Sequence, residues 1–410
     1  MTTFTVTAEK LLYGGDALAR RDDGKAVFIP FAVPGDRLLI RSLDEKKNYI
    51  RAEILEILTP GDGRVTPVCP HFGKCGGCHW QQVEYSRQVE AKRLILEETF
   101  HHRFPETRHL SISMRQCAQP FGYRSRARVR LQTRDNRIGE THTHSKTVTG
   151  FFRGGSHEIE DIESCPLFRS CLNDALTVLR RMSFKRFKSG TNDNFQEINI
   201  ACSEEEKTWT IAKYGYGKLP GGMLRKSIGG FVYNVSAETF FQANDFMTDA
   251  LVSHVMDCVP HNSGTVLDLF SGVGLFSLPL ARRFRTVTAV EQSIESHRLC
   301  AMNAAGAGIK NLETVCADAA MWLNSQPTRR FDCVVLDPPR AGADPVVMEH
   351  IGRLKSAYIV YVSCDPKTLA RDIERIASNR LRIVSITGFD MFPQTYHFET
   401  IVVLEPLMNV

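Results

Sequence analysis

No run of apolar residues in this 410-residue chain approaches the length needed to span a membrane, and the N-terminus lacks a charged-then-apolar leader pattern. Internal repeats and low-complexity tracts are absent, which excludes solenoids and collagen-like or linker-dominated chains. Charge of one sign is also scarce: 51 Lys and Arg stand against 46 Asp and Glu, a net of +5. That bias permits a polyanionic partner without demanding one. What the chain does have is size and apolar content, 43% hydrophobic, enough for two or three domains with their own cores. It also has twelve cysteines. With no export pattern they point to a reducing compartment, where grouped cysteines bind metal or do chemistry, so cytoplasm is the expected location and no membrane is expected.

Three zones divide the chain. Residues 1–58 carry short strand-like runs separated by Gly14-Gly15, Asp23-Gly24 and Pro34-Gly35, a spacing that suits a small oligonucleotide-binding (OB)-like β-barrel. Residues 59–230 hold most of the unpaired arginines and four cysteines of special spacing, in a central α+β region. Residues 231–410 alternate strands and helices in the α/β manner. Strands are expected at 265–270, 286–291, 312–316, 331–336, 357–363, 381–389 and 399–404, with amphipathic stretches at 275–284, 294–305 and 366–378. Seven strands with nothing helical between the last two fit the class I, Rossmann-like methyltransferase sheet, whose seventh strand inserts antiparallel.

The glycine turn of Asp268-Leu269-Phe270-Ser271-Gly272-Val273-Gly274 follows a strand and opens a helix. Glycines there let backbone approach a ligand. Glu291 ends the second strand, where it can hold ribose hydroxyls, and Asp318 follows the third, where it can accept from an adenine amine. Asp337 ends the fourth in Asp337-Pro338-Pro339-Arg340. A dinucleotide fold would show a third glycine where Ser277 stands, so S-adenosylmethionine is favoured over NAD.

Cys364 closes the fifth strand before Asp365-Pro366, and Glu399 precedes the seventh. An antiparallel seventh strand begins at the edge where the others end, so Glu399 can reach the pocket. Uracil C5 is a poor nucleophile until a thiolate adds to C6, and a base must then remove the C5 proton. Cys364 is the candidate thiolate, with a pKa that the following helix start is expected to lower, and Glu399 the candidate base. His397 is read as structural or as a substrate contact. An arginine rather than an aromatic ring after Pro338-Pro339 suits methylation at carbon.

Cys69-x5-Cys75-x2-Cys78, with Cys165 far downstream, is the set that suggests metal. Three clustered cysteines plus one remote lean toward a [4Fe–4S] cluster rather than a zinc ribbon. The remaining cysteines (117, 171, 202, 258, 300, 316 and 333) are read as core or surface residues. Tyr123-Arg124-Ser125-Arg126-Ala127-Arg128-Val129-Arg130 alternates arginine with smaller residues, which on a strand puts four guanidinia on one face, for phosphate or as a solvated edge.

Assembled, these residues closely resemble the RNA uracil-C5 methyltransferase family, in particular its members with an N-terminal TRAM domain and an iron–sulfur cluster. The match spans nearly the full length. It includes Gly15-Asp16-Ala17-Leu18-Ala19-Arg20, Phe28-Ile29-Pro30, Pro34-Gly35-Asp36, the run from Cys69 to Cys78, Phe241-Gln242-Ala243-Asn244, the glycine loop and Ser363-Cys364-Asp365-Pro366. The resemblance implies Cys364 as nucleophile and Glu399 as base. It also implies that Gln242, Phe270, Leu275, Glu291, Asp318 and Asp337 line the S-adenosylmethionine or base site. Cys69, Cys75, Cys78 and Cys165 are then the cluster ligands. Leu275 stands where members often carry a polar residue, and Ser271 replaces a frequent cysteine. The expected partner is RNA, 23S ribosomal RNA first and the T-loop of transfer RNA second, with the base flipped from its stack. A monomer is expected. The non-catalytic alternative is an RNA-binding ribosome assembly factor that retains the fold.

Overall fold

The computed structural model describes residues 2–138, 142–181, 195–213, 222–261, 264–326, 329–353, 358–376 and 381–407. Five strands close the N-terminal barrel, in the order Thr3–Leu11, Ala17–Arg20, Ala26–Ile29, Tyr49–Thr59 and Arg37–Glu45. Alternation explains the first strand: Val6 and Ala8 point inward, and a bulge between Ala8 and Lys10 shifts the phase so that Leu11 is buried as well. The short strand Ala17–Arg20, not anticipated from sequence, completes the closure by pairing with both neighbours. Asp36 locks the barrel's exit. Its buried carboxylate accepts from the N–H groups of Val33 and Gly61 and pairs with Arg64.

The central region combines the helix Tyr85–Arg103 with a five-stranded antiparallel sheet. The helix Ser170–Arg181 lays Cys171, Leu172, Ala175, Leu176 and Leu179 against that sheet, an i, i+4 apolar stripe.

The C-terminal sheet runs Leu312–Cys316, Thr286–Glu291, Thr265–Leu269, Cys333–Leu336, Tyr358–Ser363, Glu399–Pro406 and Leu381–Phe389. The first five are parallel; Glu399–Pro406 is antiparallel to the strands on both sides of it. The strand positions expected from sequence recur to within two residues at each end. The expected count of seven is exceeded: an eighth strand, Ser113–Arg115, pairs in parallel with Leu381–Phe389 and so joins the central region to this sheet. The central strands are buried on both faces, which is why they read as continuous apolar runs.

Candidate active site and four-cysteine cavity

Strand register decides what meets at the carboxyl edge. Leu269 pairs with Leu336, and Leu336 with Tyr361, so Phe270 and Asp337 leave the sheet as neighbours. Ser363 pairs antiparallel with Thr400, so the next residues outward, Cys364 and Glu399, emerge side by side. Residues 35 apart in sequence thus share one rim because one strand runs backward.

The rim is rich in buried acid. Burial, aided by Glu291, pushes Asp268 up to about 7 against the Ser277 hydroxyl that donates to its Oδ2, and Oδ1 has no partner. Burial and the nearby Asp268 raise Asp337 to about 7. Burial, with Asp337, raises Glu399 well above the carboxylate range, while Arg340 opposes. Its Oε2 is buried without a partner. Such orphaned oxygens are costly inside a protein.

The Cys364 thiol is not lowered as the sequence suggested. Burial first, then Glu399, push it up to about 12, and Arg340 pulls the other way. The helix Pro366–Ile376 gives no help because Asp365 caps it: its Oδ1 accepts from the N–H groups of Lys367 and Thr368 at 3.0 and 2.9 Å. Arg340 is therefore the cation that favours a thiolate here. Its Nη2 donates to His397 Nε2 at 3.1 Å, an arrangement that needs a neutral imidazole; burial and Arg340 hold His397 down at about 3.

Around the glycine loop, Gly272 and Gly274 have φ of +55° and +92°, and Phe270 shares the left-handed region at +61°. A Cβ on Gly274 would lie 2.7 Å from Leu278 Cδ1 and 2.9 Å from Cys300 Sγ, so only glycine lets the loop close on its helix. Glu291 accepts from Gly272 N–H at 3.0 Å and Ser293 N–H at 2.7 Å. Each of its oxygens keeps a second lone pair for a hydroxyl. Asp318 caps the helix Ala319–Ser325 through Met321 N–H at 3.0 Å, using Oδ1. Leu275 is buried, and its carbonyl accepts from the Tyr233 hydroxyl at 3.0 Å.

Gln242 is buried in a segment held by an unexpected residue. Arg126 donates to the carbonyls of Ser236, Thr239 and Phe241, and burial lowers its pKa to about 10. The four alternating arginines accordingly do not form one phosphate-facing row. Arg126 turns inward, Arg130 pairs with Glu197 and lies over the Phe152 ring, and Arg128 donates to Asn199. Arg124 lines a cavity instead.

That cavity gathers Cys69, Cys75, Cys78 and Cys165. Fixed backbone holds each wall. Cys75 and Gly76 lie on the strand end at Phe152 and Arg153, and Asn173 bonds both main-chain groups of Cys165 at 2.9 and 3.2 Å. Burial raises Cys78 to about 12 and Cys165 to about 11, with the other thiols adding to it, while Arg124 opposes. Among the described residues, the three donors that lie within 4.8 Å of one another are Cys171, Cys202 and Glu204, elsewhere in the central region.

Sequence reasoning missed Tyr13, and no local pattern signals it. From the barrel it reaches the nucleophile loop, donating to Asp365 Oδ2 at 3.0 Å and to the carbonyl of Cys364 at 3.5 Å. Its ring meets the edges of Tyr396 and Phe398.

A family model described as tRNA (Uracil-5-)-methyltransferase matches residues 223–407. The chain is 32% identical to the 23S rRNA (uracil(1939)-C(5))-methyltransferase RlmD of Yersinia enterocolitica, over 97% of this chain and 94% of that one. It belongs to the RNA uracil-C5 methyltransferase family. An RNA methyltransferase of Thermotoga maritima is 30% identical across 97% of this chain and 98% of its own. Among solved structures, the Pyrococcus abyssi tRNA (uracil-54, C5)-methyltransferase, in complex with S-adenosyl-L-homocysteine, superposes with a TM-score of 0.74. That match covers 97% of this chain and 99% of that one at 23% identity, a likeness of fold. Family membership makes the chain an RNA methyltransferase. Among the described residues no helix is long and apolar enough to cross a membrane.

Proposed function

We propose that this enzyme transfers a methyl group from S-adenosylmethionine to C5 of a uridine in 23S ribosomal RNA through a covalent Cys364–C6 adduct. The observation that carries it is the side-by-side emergence of Cys364 and Glu399 at the sheet edge that also bears Asp337. The ribosomal target rests on the similarity to the Yersinia protein; the family description and the Pyrococcus protein support the T-loop of transfer RNA as the second reading.

Each step has a residue. The half-buried Cys364 sulfur adds to C6, losing its proton to water under the field of Arg340, and the C5–C6 electron pair moves toward O4. S-adenosylmethionine, when bound, would supply the electrophilic methyl that C5 takes and would keep the C–S bonding pair on its sulfur. Glu399 then takes the C5 proton, the C5–H pair re-forms the C5–C6 double bond, and the thiolate leaves with the C6–S pair. A base in a dry site with a raised pKa is a strong one, and Arg340 favours its ionised form. Asp268 and Asp337, poised near 7, ionise at little cost beside a cation. For the cofactor, Glu291 would take the ribose hydroxyls and Asp318 the adenine amine. Gln242, Phe270, Leu275 and Asp337 would complete the walls.

Cys69, Cys75, Cys78 and Cys165 would hold a [4Fe–4S] cluster. Four cysteines lining one cavity and faced by the Arg124 guanidinium suit a polynuclear anionic group. Its role there is structural, joining the segment 69–78 to residue 165. In this division the barrel (1–58) and the central region (59–230) bind RNA and residues 231–410 carry the chemistry.

Incubation with 5-fluorouridine-substituted 23S fragments and T-loop RNA, each with S-adenosylmethionine, tests the proposal. A denaturation-resistant adduct on the ribosomal RNA, absent in Cys364→Ala, is expected. No adduct on either RNA would reject the covalent route, and one confined to T-loop RNA would move the target.

A further inference from the structure

The segment between Phe389 and Glu399 has no regular secondary structure, yet six of its nine residues are buried. Buried backbone must find partners, and here they come from far away in sequence. Four successive carbonyls are each bound by a different element. Met391 O accepts from Asn244 Nδ2, Phe392 O from Lys92 Nζ and Pro393 O from the Tyr123 hydroxyl, all at 3.1 Å. Gln394 O accepts from the N–H groups of His79 and Trp80 at 3.0 and 3.1 Å.

Gln394 is the pivot. Its φ of +69° is a conformation that a side chain other than glycine holds only when its surroundings impose it. Gln88, fully buried, imposes it. The Gln88 Oε1 accepts from Gln394 N–H, and its Nε2 donates to Gln394 Oε1, both at 2.9 Å. The same Nε2 donates to the carbonyls of Trp80 and Val83. One amide therefore ties the strand-leading loop to the residues directly after Cys78. From Gln394 the loop continues through Thr395, whose hydroxyl donates to Phe392 O, to His397, whose N–H donates to that hydroxyl. His397 meets Arg340, and two residues on stands Glu399.

We propose that Gln88 is a positioning residue for the deprotonation step: by fixing Gln394 it sets His397 and the Glu399 carboxylate relative to C5, without touching substrate itself. This rests on Cys364 and Glu399 acting as nucleophile and base. Cys364 hangs from a different strand with its carbonyl taken by the Tyr13 hydroxyl at 3.5 Å, and Arg340 follows the strand Cys333–Leu336, so the Gln88–Gln394 contact can be broken without removing a group that serves adduct formation.

The test uses the full-length enzyme and Gln88→Leu, with Gln394→Asn as the milder variant, since asparagine tolerates the left-handed region. On 5-fluorouridine RNA, where no C5 proton is removed, both variants should form the Cys364 adduct at a rate within threefold of the parent. On ordinary uridine RNA, Gln88→Leu should turn over at least tenfold more slowly and accumulate a methylated covalent complex, with Gln394→Asn between it and the parent. Unchanged turnover, or parallel loss of both reactions with no accumulating complex, would overturn the proposal. Failure of the parent enzyme to form any adduct would instead reject the nucleophile assignment beneath it.

Discussion

Replacing Lys92 with methionine removes half of an ion pair that no water reaches. Lys92 and Asp390 are both fully buried, 2.6 Å apart, and the ammonium also serves the carbonyl of Phe392. Burial pushes the Lys92 ammonium down and Asp390 holds it up. In the variant, Asp390 either stays charged without a counter-ion or takes a proton. Protonating an ordinary carboxylate at pH 7 costs about 4 kcal/mol, which caps the loss and agrees with the ~3–5 kcal/mol typical of a broken buried pair. The cap falls by about 1.4 kcal/mol per pH unit, so at pH 5 the loss should shrink to roughly 1–2 kcal/mol. The sign is set by the proton: the folded variant binds one that the unfolded chain does not hold between pH 4 and 7, so acid stabilises it relative to the parent. Urea unfolding followed by tryptophan fluorescence suits the site, because Lys92 lies 5.8 Å from the Trp80 ring. Lys92→Met with Asp390→Leu should recover most of the loss by exchanging the pair for apolar contact. A loss below about 1 kcal/mol at both pH values, or one that grows toward pH 5, would refute the reasoning.

Asp268 and Asp337, both raised to about 7, destabilise the free protein once ionised, so stability should fall as pH rises from about 4 to 7, by up to ~4 kcal/mol for each carboxyl. A thermal melting series should show that slope flattened in Asp268→Asn. The same groups predict that S-adenosylmethionine, a cation, gains affinity over the neutral S-adenosylhomocysteine between pH 6 and 8, measurable by calorimetry. Gly274→Ala should cost on the order of 1–3 kcal/mol and weaken cofactor binding at least tenfold, because the loop must shift off Leu278 and Cys300. Cofactor titration beside a urea curve separates those two effects.

Sheet, glycine turn and carboxylate rim were legible because each is written locally. Apolar runs such as Cys333–Leu336 and Tyr358–Ser363 mark buried strands, and the residue after such a strand falls at the sheet's carboxyl edge. Even Glu399 could be placed, since two successive strands without a helix between them imply a reversal. Hidden from sequence was whatever depends on contact between distant segments. Arg126 looked like its neighbours in an alternating run, yet the carbonyls of residues 236–241 claim it. Cys364 looked activated by a helix start, but Asp365 takes those N–H groups, and burial followed by the surrounding carboxylates raises the thiol. Tyr13 and Gln88 carry no motif, because their partners lie 352 and 306 positions away.

Ser113–Arg115 has a practical consequence for anyone wishing to isolate the chemistry. The stretch recognised by the family model, 223–407, omits those three residues. Cutting there would bare the outer side of Thr387–Phe389 as open amides and carbonyls, ready to recruit a second molecule. A trimmed enzyme would need that border covered or charged before it stayed in solution.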